Sequence, residues 1–79
     1  MNLLMLEEAK YVVKLAKEGI NEADVVLYLC EQELDACNDE DEIMSIAEQM
    51  AEIHMHRMMC EKAWSAANTF IKQNNFILN

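Results

Sequence analysis

The chain has no proline and a single glycine among its 79 residues, so it can turn in very few places. Apolar residues recur at three- and four-residue spacing almost from end to end, and no run alternates with the period of a strand. The expectation is an all-α fold in one small domain spanning residues 1–79. Gly19 marks the natural stop, since glycine readily takes the left-handed position just past a helix end. Asn21 then reads as an N-cap, with Glu22 and Asp24 placed to favour the positive end of a helix dipole. Asn38 or Asp39 reads as a second cap, with Asp41 and Glu42 behind it. Three helices follow, at about residues 3–18, 22–37 and 39–73.

The third helix would hold about 33 residues and measure on the order of 50 Å. A compact monomer of this size has a radius of gyration of roughly 12 Å, so such a helix would overhang it. Stepping along that helix at 100° per residue places Ile43, Ile46, Met50 and Ile53 on one arc and Met59, Ala63, Trp64, Ala67, Phe70 and Ile71 on another, with the change near Met58. With no Gly or Pro to break the helix there, its two halves are expected to bury against different neighbours. Apolar residues also cover about 200° of each of the first two helices, against the ≳100° usual for a one-sided helix. Both features predict a bundle completed by dimerisation, with Met59, Ala63, Trp64, Ala67, Phe70 and Ile71 as the apolar interface.

Charge is distributed as unevenly as hydrophobicity. From Glu18 through His56 there are twelve acids and no Lys or Arg, while all six Lys and Arg residues lie outside that stretch. Such a surface repels nucleic acid, whose binding depends on Lys and Arg neutralising phosphates. It attracts basic surfaces and speeds encounter with them. The candidate partner-binding residues are therefore Glu31, Glu33, Asp35, Asp39, Glu40, Asp41 and Glu42. The competing explanation is local: acids near helix N-termini stabilise the helix, and an acidic surface keeps a small apolar protein in solution.

Enzyme chemistry finds little to stand on. Neither Ser45 nor Ser65 sits in a nucleophile elbow, and no Gly-x-Gly or Gly-Lys-Ser/Thr phosphate loop exists. The run Asp39-Glu40-Asp41-Glu42 lacks the alternation and the glycine of a calcium loop. His54, His56 and Cys60, among several methionines, are the only soft-metal candidates. His54 and His56 lie 200° apart on a helix, so sharing a metal would require a second chain. The expectation is no enzyme and no cofactor. Three cysteines, an odd number, no charged-then-apolar leader and no long apolar run predict a reduced cytoplasmic protein without membrane contact.

The expected function is that of a small acidic protein that binds and occludes a basic surface on a partner, such as one that binds nucleic acid. In size and charge it is similar to inhibitors encoded by phages and mobile elements, anti-CRISPR proteins among them, with no motif in common. An acidic dimeric chaperone using its apolar helix face and a copper- or zinc-binding helical dimer are the alternatives.

Overall fold

A computed structural model describes residues 3–78, with side-chain surroundings for residues 5–74. Two helices account for nearly all of it: α1, Leu3–Ala36, and α2, Glu40–Leu78. Residues 37–39 form the connection, and the helices lie side by side as an antiparallel hairpin. The rod measures 59 × 15 × 15 Å with a radius of gyration of 17.6 Å.

The all-helical expectation holds, but the number of helices does not. The predicted break between helices 3–18 and 22–37 is absent, because Gly19 lies inside α1 and no glycine among the described residues has a positive φ. What Gly19 supplies is room. A methyl group there would lie 2.8 Å from Cys60 Sγ and 3.7 Å from His56 Nε2, so the missing side chain lets α2 come close at mid-rod. Asn21, Glu22 and Asp24 are accordingly mid-helix residues, and the helix-start explanation of their polarity falls away. With α1 this long, α2 has a partner of nearly its own length and does not overhang. It also continues past the expected end near residue 73.

One repeat holds the hairpin together. Along α1, the residues Leu6, Ala9, Val13, Ala16, Ile20, Ala23, Leu27, Cys30 and Leu34 are all buried or half-buried, at alternating spacings of three and four. Along α2 the same spacing runs through Ile43, Ile46, Met50, Ile53, Arg57, Cys60, Trp64, Ala67 and Ile71, with only Trp64 substantially exposed. This is the 3.5-residue period of a coiled coil, in which two helices wind to keep their seams together. Every second seam residue of α1 is small: Ala9, Ala16, Ala23, Cys30. Small residues at one level of each turn pair allow a short interaxial distance, which suits the Gly19–Cys60 contact.

The apparent change of sides in α2 is now explained. A strict seven-residue repeat drifts about 20° per heptad when plotted at 100° per residue, so the seam from Ile43 to Ile71 appears to rotate by roughly 80°. The helix is continuous through Arg57–Cys60 and buries one face throughout. What remains of the second arc is Met59, Ala63 and Phe70, which sit beside the seam, the first two exposed and Phe70 half-buried.

The turn is closed by local hydrogen bonds. The Cys37 N–H donates to the Leu34 carbonyl at 3.3 Å, and the Ile43 N–H to the Asp39 carbonyl at 2.9 Å. Asp39 Oδ1 accepts from the Asp41 N–H at 3.2 Å, so Asp39 is the N-cap of α2. A three-residue connection of this kind is the helical counterpart of a tight hairpin turn.

Candidate partner-binding surfaces

Folding the chain back at residues 37–39 places the acidic stretch at one end of the rod. Glu31, Glu33 and Asp35 come from the last turns of α1, Asp39 from the connection, and Glu40, Asp41 and Glu42 from the first turn of α2; all seven are exposed. The ion pairs among the described residues are Lys10–Glu7, Arg57–Asp24 and Arg57–Glu61, so none of the seven is neutralised by a base. The lysines Lys10, Lys14, Lys17, Lys62 and Lys72 belong to the other half of the rod, toward its open end. The hairpin converts an uneven sequence into a rod with an acidic turn and a lysine-bearing opposite half.

Local helix physics accounts for only part of this end. Glu40, Asp41 and Glu42 occupy the first turn of α2, where the dipole favours acids. Glu31, Glu33 and Asp35 stand in the last turns of α1, where the same dipole opposes them, and no base occupies that last turn. Their placement works against the helix that carries them.

Cys37 lies among these acids. Its thiol donates to Glu42 Oε2 at 3.1 Å and faces the Asp39 carbonyl at 3.8 Å. The bond to the Glu42 carboxylate holds the thiol pKa above its ordinary value, chiefly because the proton is part of that bond.

Halfway along the rod, Arg57 occupies a seam position. Its Nε donates to Asp24 Oδ1 at 2.7 Å, and its other nitrogen pairs with Glu61. The bond to Asp24, reinforced by Glu61, raises the guanidinium pKa. A polar residue at one seam position fixes the register of two otherwise sliding helices.

A shallow groove runs along one flank of the seam, lined at mid-rod by Gly19, Glu22, Val26, Glu52 and His56 and beyond by Val12, Leu15, Met59 and Ala63; nearer the turn a separate hollow on the same flank is lined by Glu33, Ala36, Glu42 and Ser45. Glu33, one of the candidate partner-binding acids, is an exposed wall of the hollow near the turn. The expected apolar interface divides between two places. Ala67 is buried in the hairpin seam, Phe70 and Ile71 are half-buried, and Met59, Ala63 and Trp64 remain exposed. On the α1 side of this flank Val12, Leu15, Val26 and Leu29 are all exposed; they belong to the broad apolar arcs seen in the sequence but were not among the residues expected at the interface. Their spacing of three, eleven and three residues, two seven-residue repeats with Gly19 and Glu22 at the repeat between, was the available signal.

The soft-metal candidates do not assemble. His56 Nε2 and Cys60 Sγ are 3.6 Å apart across one helical turn, while His54 lies on the other flank of the seam. Among the described residues no three His, Cys, Asp or Glu side chains converge on a point. Cys30, Cys37 and Cys60 are free thiols, and no described helix is long and apolar enough to cross a membrane. Comparison of the chain with protein-family models, with curated proteins and with solved structures gives no match.

Proposed function

We propose that this chain is a small acidic protein-binding module that acts from a reducing, cytoplasmic setting as a homodimer. Its turn end docks on a basic surface of a partner and occludes it, in the manner of inhibitors encoded by phages and mobile elements, including anti-CRISPR proteins. A nucleic-acid-binding surface is the kind of target this chemistry fits: a close array of carboxylates on a rigid end competes with phosphates for the same Lys and Arg side chains. The protein itself does no chemistry and meets no nucleic acid directly.

The observation that supports this reading is the set Glu31, Glu33 and Asp35 at the C-terminal end of α1. Solubility alone would be served by acids anywhere on the rod, and helix stability would be better served by bases there. Three acids kept against the dipole, beside four more across the turn, make sense as a surface selected for what it meets.

The test is affinity capture from the cells that make the protein, comparing wild type with a Glu31→Lys, Asp35→Lys, Glu40→Lys variant, followed by titration of the purified pair. The reading expects a protein with a basic surface that is lost by the variant and whose affinity falls by about tenfold or more between 50 and 300 mM salt. Binding that survives both charge reversal and salt would overturn it.

A further inference from the structure

We propose that a second copy of this chain covers the groove-side flank of α1 and lies antiparallel to the first, so that the two hairpins form a four-helix bundle with one acidic turn at each end. This rests on the homodimer reading and names its face and its orientation.

The flank of α1 carries a second seam beside the one that faces α2. Val12, Leu15, Val26 and Leu29 fall on it at coiled-coil spacing, with exposures of 38, 47, 41 and 55% in the single hairpin. Side chains of this kind at such exposure leave an apolar strip along the helix that a lone hairpin does not cover. The strip also pairs with itself. A two-fold contact requires that if one residue meets another, the second meets the first. Reversing α1 about a point between Ile20 and Asn21 brings Val12 onto Leu29 of the second copy and Leu15 onto its Val26, apolar on apolar at both levels. The same reversal sets Glu22 of one copy against Gly19 of the other, where there is no side chain to meet it.

Charge selects the orientation. Two hairpins stacked with their turns together would bring two uncompensated acidic ends into contact. Stacked in opposite directions, each acidic turn lies instead beside the nearly neutral half of the other copy, where Lys10, Lys14, Lys17, Lys62 and Lys72 offset Glu7, Glu8, Glu18 and Glu61. The area is adequate: a face 59 Å long and 15 Å wide matches the roughly 800 Å² per partner of a stable interface. One pair of like charges is built into the register, since Glu8 falls opposite Glu33 of the second copy, and it provides a diagnostic.

The experiment is sedimentation equilibrium on the full chain and three variants, with circular dichroism confirming helix content. Wild type is expected to be a dimer at micromolar concentration. Leu15→Glu, at a position exposed in the hairpin, should remain helical and become monomeric. Glu8→Lys turns two repulsions per dimer into attractions and should tighten dimerisation about fivefold, and adding Glu33→Lys should remove that gain. Orientation is read independently from spin labels at Asn38→Cys, with the native cysteines replaced by alanine: the antiparallel bundle puts the labels on the order of 50 Å apart, a rod length, and turns together put them within about 30 Å. A wild-type monomer at tens of micromolar would overturn both this inference and the homodimer reading. A dimer with a short label distance, or one unaffected by Leu15→Glu, would overturn the assigned face and orientation alone and leave the homodimer reading standing.

Discussion

Gly19 carries two opposed free energies, and replacing it with alanine separates them. In a helix interior glycine costs about 0.8–1.0 kcal/mol relative to alanine, so Gly19→Ala should stabilise α1 by that amount if nothing else changes. The structure says something else does change. The new methyl carbon would lie 2.8 Å from Cys60 Sγ, closer than such atoms pack, although 3.7 Å from His56 Nε2 and 3.8 Å from Cys60 Cβ are ordinary contacts. The thiol must swing away, and an off-rotamer or overpacked side chain of this kind costs about 1–2 kcal/mol. Gly19→Ala alone is therefore expected to be neutral or to destabilise by up to about 1 kcal/mol. In a Cys60→Ala background the clash is gone, and the same substitution should stabilise by nearly 1 kcal/mol. The coupling between the two sites is then about 1–2 kcal/mol. Urea unfolding followed at 222 nm, at one protein concentration for all four proteins, measures it. Full stabilisation by Gly19→Ala with Cys60 present would refute the close approach of the helices. Destabilisation in both backgrounds would refute the continuity of α1, because alanine is penalised in the left-handed conformation of a helix-ending glycine.

Other perturbations test the turn and its charge. Asp39→Ala removes the cap on the Asp41 N–H and should cost about 1 kcal/mol in the same unfolding assay, with Asp39→Asn costing much less. Because the Glu42 carboxylate raises the Cys37 pKa, alkylation of Cys37 near pH 8 should be slower than for a free thiol and should accelerate in Glu42→Ala, read by mass spectrometry. The sign follows for stability too: the contribution of this bond is present below the ordinary thiol pKa and is lost as pH rises through the raised value. Seven unneutralised acids at one end repel each other, so the melting temperature should rise when NaCl is increased from about 20 to 300 mM; no change or a fall would contradict the account of the turn.

Much of this architecture was legible in the residues, and what was not has identifiable causes. The all-helical class followed from the spacing of apolar residues, and Asp39 with the acids behind it marked the start of α2 because capping is a local effect. Gly19 misled because the same residue serves as a helix stop or as a point of close approach, and the difference lies in Cys60, forty-one positions away. Small residues at Ala9, Ala16, Ala23 and Cys30, seven apart and running straight past Gly19, were the sequence signal for an unbroken seam. The rotating stripe of α2 came from measuring a 3.5-residue repeat with a 3.6-residue ruler. For the candidate surface, the acidic stretch and the place of Glu31, Glu33 and Asp35 near a helix C-terminus were legible, but the unbroken hairpin that gathers all seven acids at one end of a rod was not.

Everything proposed for the turn depends on the chain being a straight two-helix rod with its acidic stretch gathered at one end. Small-angle X-ray scattering tests that most directly, because shape separates the alternatives whether or not the protein is a dimer. The hairpin has a radius of gyration of 17.6 Å, and a side-by-side pair would raise it only slightly. A value near 18 Å with a maximum dimension of about 60–65 Å is the prediction, since helices of this length fix the long axis. A value at or below about 15 Å, that of a compact chain or of a compact dimer broken at Gly19, would contradict it.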